Sequence, residues 1–229
     1  MTSAGGGSSS SRPRLSIDHV QVAVADLEQA AQRMLDEHGL VALPGGRHPF
    51  ATANMIIPFG ADYLELIAVV APDEALTRPT ALRVANALQE GRRFPAWAVR
   101  TDDLDQERSY LLGRGWELPD VAPGARTRPD GAHLEWRLQE LVPDARPSAL
   151  PFLIEWRVPY GMHPAATAVE HPSRARRIKS LTLSDPDPAA MRRHLQELFD
   201  RDVEYSLVRG DPGIKEVVVG TDRGDMVLR

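Results

Sequence analysis

Three stretches of this chain share one grammar, and that repeat limits what it can fold into more than any other feature. Ile17-Asp18-His19-Val20-Gln21-Val22-Ala23-Val24 runs on to Asp26. Phe94-Pro95-Ala96-Trp97-Ala98-Val99-Arg100 runs on to Asp103. Ile178-Lys179-Ser180-Leu181-Thr182-Leu183-Ser184 runs on to Asp187. Each alternates as a strand does and reaches an aspartate nine residues after its start. Aspartate suits a helix N-cap, because its carboxylate accepts the first unpaired backbone N–H groups. Helical stripes follow: Leu27, Ala30, Ala31, Met34 and Leu35; Leu104 and Leu111; Met191, Leu195 and Leu198. Strand-like runs come next, at 52–58 and 62–69, at 133–138 and 152–157, and at 203–208, 214–219 and 225–228. The unit is therefore β-α-β-β-β, repeated three times, with a helix over 76–90 joining the first two.

The expected fold class is α+β: paired units forming a cup-shaped, curved-sheet barrel with helices outside. Residues 1–14 read as a Gly/Ser-rich tail without the apolar run of a secretory signal. Residues 15–160 form the two-unit domain (units 15–70 and 93–157), 161–176 a Pro-containing linker, and 177–229 the third unit. An odd unit completing a second cup with a symmetry mate points to a homodimer.

Composition excludes several classes. The chain has 229 residues and no cysteine, so disulfide frameworks, cysteine zinc sites and thiol nucleophiles are ruled out. A formal net charge of −5 argues against nucleic-acid binding. The longest apolar stretch, 63–71, contains Glu65 and is far short of the roughly 20 residues of a membrane span. A cytoplasmic protein is expected.

Strand alternation sorts the side chains. Val20, Val22 and Val24 share one face of the first strand, and His19, Gln21 and Ala23 the other. Leu64 and Leu66 oppose Tyr63 and Glu65, and Met55 and Ile57 oppose Asn54. With the apolar sets under the helices, His19, Gln21, Asn54, Tyr63 and Glu65 converge on the open face, where a small-molecule pocket belongs. Arg100 faces the same way in the second unit. Gly45-Gly46-Arg47-His48 reads as a Gly-rich loop presenting two functional side chains, with Arg47 as an anion or carbonyl grip. His163 and His171, each before a proline, fall in the linker and are given no catalytic part.

These residues resemble the vicinal oxygen chelate superfamily, and more narrowly its glyoxalase-like domain proteins. The resemblance rests on Ile17-Asp18-His19-Val20, Gly45-Gly46-Arg47-His48-Pro49, Asn54, Tyr63-Leu64-Glu65-Leu66-Ile67 and Pro151-Phe152-Leu153-Ile154-Glu155-Trp156. It implies a cup built around one divalent metal (Mn, Fe, Zn or Ni), with one ligand from the first and one from the last strand of each paired unit. His19 and Glu65 match those positions, with Glu155 as the ligand from the second unit and His48 filling a gap. Ala96 and Ser180 leave the first-strand positions of the other units without a donor. The implied chemistry is metal-assisted lyase, isomerase or dioxygenase action on a substrate with vicinal oxygens, with Glu65 and His48 as the catalytic groups. Two alternatives stand beside it. The same pocket serves a metal-free small-molecule binding or drug-sequestering protein, or His19 and Glu65 are a structural pair across the sheet.

Overall fold

The computed structural model describes residues 15–142, 144–199 and 203–229; the tail expected over 1–14 lies outside them. The three aspartates cap helices. Asp26 accepts the Gln29 N–H (2.8 Å), Asp103 the Gln106 N–H (2.9 Å), and Asp187 those of Ala189 and Ala190 (3.1 and 3.0 Å). The helices they open are α1 (Leu27–His38), α4 (Leu104–Leu112) and α5 (Pro188–Leu198). The helix expected over 76–90 is α3 (Pro79–Gln89), and a single turn, α2 (Pro72–Ala75), precedes it. Pro79 sets its start: it has no N–H to give, and the preceding Arg78 is extended (φ −120°, ψ 107°).

The strands of the first unit are β1 (Ser16–Ala23), β2 (Leu43–Arg47), β3 (Thr52–Pro58) and β4 (Tyr63–Val69). Those of the second are β5 (Trp97–Arg100), β6 (Ala122–Thr127), β7 (His133–Gln139) and β8 (Phe152–Trp156). Together they form one eight-stranded sheet in the order β2-β3-β4-β1-β5-β8-β7-β6. The two units meet through the antiparallel pair β1–β5, and each closes its own half with a parallel pair, β1–β4 and β5–β8. The sheet curls until its two edge strands nearly touch. A Cβ on Gly46 of β2 would lie 2.8 Å from the Thr127 carbonyl oxygen of β6, and Gly46 adopts φ 135°, so glycine is what this seam admits.

One contiguous core covers the outer face. Val20, Leu64, Leu66, Ile57, Trp97 and Leu153 pack with Met34 of α1, Leu111 of α4 and the third unit. The inner face is the cup, and two segments cover parts of it. Val84 and Ala87 of α3 pack on Ala23 and Ile67, and Ala165 of the 159–174 connector packs on Ile56 and Tyr63. That connector is built of two 3-10 turns, Tyr160–Met162 and Pro164–Ala166, folded onto the barrel.

The third unit is β9 (Ala175–Asp185), α5, β10 (Tyr205–Arg209), β11 (Gly213–Thr221) and β12 (Gly224–Leu228). It repeats the element order but not the wiring. Its sheet runs β10-β9-β11-β12, with β10 parallel to β9. The first strand is therefore internal, whereas in the other two units it is the strand that joins a mate. The edges of its sheet are β10 and β12, so a strand of another copy could not pair with β9 as β5 pairs with β1. No helix among the described residues is long and apolar enough to cross a membrane.

Candidate functional site

The cup is lined by side chains from both units. His19, Gln21, His48, Asn54, Tyr63 and Glu65 stand together at its polar end, and Phe50, Trp136, Phe152, Ile154 and Trp156 form apolar walls. It encloses about 50 Å³ of cavity within about 520 Å³ of free space that continues into solvent. Arg83 of α3 and Glu140 pair at 2.9 Å on its rim.

Glu65 is the centre. It is 4% exposed, and its two oxygens accept from the Asn54 and Gln21 amides at 2.5 and 2.9 Å. A carboxylate only accepts, so both amides must turn their NH2 groups toward it. Their carbonyl oxygens, Asn54 Oδ1 and Gln21 Oε1, are left buried without a partner. The imidazoles flank the same carboxylate: His19 Nε2 lies 3.6 Å from Oε2 and His48 Nε2 3.7 Å from Oε1. Burial pushes the Glu65 pKa up, but the neighbouring imidazoles and the two amide bonds outweigh it and hold the carboxyl below its ordinary value.

The two imidazoles are biased oppositely. Burial disfavours charge on both. On His19 it is outweighed by the hydrogen bond to Asp18 and the charges of Glu65 and Asp18, so its pKa is raised. On His48 burial dominates, the Arg126 and His19 charges add to it, and the pKa falls to about 4 despite Glu65. His48 Nδ1 lies 2.9 Å from Thr52 Oγ1. With that bond donated from Nδ1, the Nε2 lone pair faces Glu65 and the cup.

Asp18 holds His19 from behind. A bulge between Ile17 and His19 in the β1–β5 pairing interrupts the alternation, and Asp18 becomes fully buried. Its Oδ1 accepts from His19 Nδ1 (2.7 Å), and its Oδ2 from His163 Nε2 (2.8 Å) and Trp156 Nε1 (3.1 Å). His163 Nδ1 accepts the Ala165 N–H (3.1 Å), which places the ring proton on Nε2. Tyr63 stacks on His19, with ring centroids 4.7 Å apart.

Three expected site residues are elsewhere. Glu155 is turned away from the cup. Phe152, Ile154 and Trp156 take the inward positions of β8, so Glu155 faces outward and pairs with Arg137 (2.6 Å) and Arg157 (3.0 Å). Arg100 lies behind the cup, bonding the Ala61 carbonyl (3.0 Å) at 3.6 Å from Asp18. Arg47 is exposed, because the Gly-Gly segment is strand β2 rather than a loop. Its glycines answer a packing demand: a Cβ on Gly45 would fall on Asn54 Oδ1. Gly45→Ala should therefore displace the Asn54 amide from Glu65 and cost about 1–3 kcal/mol. Urea unfolding of the variant checks this, and a midpoint equal to wild type would refute it.

The connector supplied what the sequence reading passed over. His163 and His171 are both buried; His163 supports Asp18, and His171 bridges the Val41 N–H and the Pro58 carbonyl. Arg126, on the unforeseen strand β6, also lines the cup.

These donors do not compose a metal centre. Among the described residues, no group of three or more His, Asp or Glu is arranged to hold an ion. With Glu155 outside, the second unit offers the cup no ligand in β8. Both Glu65 oxygens already accept from amides. The Arg126 guanidinium in the wall makes the place less favourable for a further cation.

The chain is similar over most of its length to a hypothetical protein from Staphylococcus aureus of known crystal structure. The two are 15% identical, with a TM-score of 0.68 over 93% of this chain and 84% of that one. Methylmalonyl-CoA epimerase from Mycobacterium tuberculosis is 20% identical over 62% of this chain and 86% of its own, with a TM-score of 0.44. The Streptomyces coelicolor methylmalonyl-CoA epimerase bound to 2-nitronate-propionyl-CoA is 17% identical over 65% of this chain and 100% of its own, with a TM-score of 0.46. No curated protein matches the chain. The glyoxalase-like domain family model matches residues 17–199. With that match over most of its length and its two-unit cup, the chain belongs to the glyoxalase-like domain family.

Proposed function

We propose that the cup is a metal-independent proton-transfer site acting on a small, oxygen-bearing molecule. One observation carries this reading: two imidazole nitrogens flank the two oxygens of a single buried carboxylate, 3.6 and 3.7 Å away. Their proton affinities are pushed apart, the usual mark of an acid and base pair. His48 Nε2 takes a proton from a carbon next to a carbonyl. The C–H electrons move into a carbon–carbon double bond, and the carbonyl oxygen becomes an enolate oxygen that accepts a hydrogen bond from His19. Glu65 stays ionised and stabilises the transient charge on His48. Return of the proton to carbon completes an exchange or an epimerisation. A base with a pKa of about 4 is weak, so the substrate must be one whose carbanion is delocalised onto the oxygen that His19 holds. The free acceptors Gln21 Oε1 and Asn54 Oδ1 favour a substrate that brings O–H or N–H donors.

Deuterium incorporation from D2O tests this, followed by NMR over a panel of 2-oxo and 2-hydroxy carbonyl compounds, alongside elemental analysis for metal. Exchange should persist in chelator, and His48→Gln should slow it about 100-fold. Its rate should rise through pH 4, as His48 loses its proton, and fall again through the raised pKa of His19. Stoichiometric metal whose removal abolishes exchange would overturn the metal-independent mechanism. Binding without exchange would make the cup a small-molecule carrier instead, a reading its aromatic walls also suit.

A further inference from the structure

The guanidinium of Arg126 is a buried cation that the proton-transfer scheme does not use. Arg126 is 6% exposed and lines the cup. Its Nη1 donates to the Gly45 carbonyl, where the glycines of β2 let the guanidinium approach the backbone. Other arginines of this barrel have carboxylates: Arg83 has Glu140 at 2.9 Å, and Arg137 has Glu155 at 2.6 Å and Asp105 at 3.0 Å. Among the described residues, Arg126 has no carboxylate within 4.0 Å. Glu65 and Asp130 reach it only from farther away, and both Glu65 oxygens already accept from the two amides.

Taking a charge out of water without a partner is costly, and a protein avoids it unless the partner arrives from outside. We infer that Arg126 receives the carboxylate of the substrate, so that the cup's occupant is a compact hydroxy or oxo acid. The inference rests on the reading of the cup as a substrate site and adds its class. Arginine presents a planar fork that matches a carboxylate with two parallel N–H donors. About 50 Å³ of cavity lies within about 520 Å³ of free space that opens to solvent, room for a compact acid with its carboxylate on Arg126. A singly charged anion is also favoured over a doubly charged phosphate, because Glu65 stands in the same cup.

The test is binding, measured by calorimetry on the full chain with two matched pairs of probes. One pair is lactate and lactamide, the other pyruvate and butane-2,3-dione, with inorganic phosphate as a fifth. Wild type should bind each acid at least tenfold more tightly than its neutral partner. Arg126→Gln should erase that difference, Arg126→Lys should keep part of it, and the exposed Arg33→Gln should leave it intact. In buffer alone Arg126→Gln should melt no lower than wild type, and about 2–4 °C higher if it relieves about 1 kcal/mol of the burial cost. Equal affinity for acids and neutral partners, selectivity surviving in Arg126→Gln, tightest binding of phosphate, or no binding of any probe would each overturn the inference. Deuterium exchange is read separately. Acid-selective binding without exchange would remove the proton-transfer mechanism and leave this inference, whereas exchange on neutral carbonyl compounds alone would do the reverse.

Discussion

Replacing Asp18 by asparagine should lower the free energy of unfolding by about 3–5 kcal/mol at pH 7, without opening a cavity. Asp18 accepts from three buried donors: His19 Nδ1, His163 Nε2 and Trp156 Nε1. An asparagine of the same size has one acceptor atom and one donor group. Turned toward His163 and Trp156, its NH2 group meets two ring N–H groups; turned toward His19 it meets one, unless His19 moves its proton to Nε2 and gives up its charge beside Glu65. His163 cannot adapt by moving its proton, since the Ala165 N–H already occupies its other nitrogen. A buried donor left unsatisfied costs about 1–3 kcal/mol, so the variant either strands one or discharges His19, whose cationic form Asp18 supports. Burial opposes ionisation of Asp18, but its bonds to His163 and His19 and the charge of His19 prevail and depress its pKa far below the ordinary 3.8. Its contribution is therefore present above the unfolded value of 3.8 and is lost as the pH falls through the depressed one. The asparagine variant should lack that part of the acid sensitivity. Urea unfolding at pH 7, with the slope unchanged, checks the magnitude. A variant within 1 kcal/mol of wild type would show that the cluster does not carry the barrel's stability.

That cluster marks the boundary of what the residues alone disclose. The three aspartate caps were legible because a cap depends on a few neighbouring positions. The inward faces of β1, β3 and β4 were legible because alternation is local too, and His19, Gln21, Asn54, Tyr63 and Glu65 do line one cup. Strands β2 and β6 were not, since Leu43–Arg47 and Ala122–Thr127 carry the Pro and Gly that normally mark turns. Here glycine serves a close seam between strands, so Arg126 escaped notice with its strand. Asp18 was hidden by a bulge that breaks the alternation. His163 was hidden by distance, for its partner is 145 residues away in sequence. For Glu155 the alternation already put it opposite Ile154 and Trp156, and it was expected as a ligand only through the resemblance. The third unit shows another limit. Element order leaves open whether the strand after the helix lies beside the first strand or three places off, and β10 takes the nearer place through a β-α-β crossover.

The second large effect concerns how that third unit is held. Asp62, 8% exposed, accepts the Ile178 N–H at 2.8 Å and so ties β9 to the turn before β4. Burial and the Asp18 charge raise its pKa to about 7, against the lowering pull of the Ile178 N–H, Arg100 and Arg177. Between the unfolded value of 3.8 and 7 the folded chain retains a proton that the unfolded chain has released. Stability from this group is fully present below 3.8 and is lost as the pH rises through 7. The span from 3.8 to about 7 corresponds to about 4 kcal/mol. Asp62→Asn keeps an oxygen for the Ile178 N–H and carries no charge to bury. Its stability relative to wild type should rise by about 2–4 kcal/mol between pH 4 and pH 8, whatever constant cost the amide's own unmet donors add. His19, with its raised pKa, also loses stability as the pH rises above 6.5, and His48, depressed to about 4, loses it as the pH falls below 6.5. Both remain in the variant, so the difference between the two pH curves isolates Asp62. Parallel curves from pH 4 to 8 would mean that Asp62 is ionised in the folded protein. The join between barrel and third unit would then rest on the shared apolar core and not on this proton.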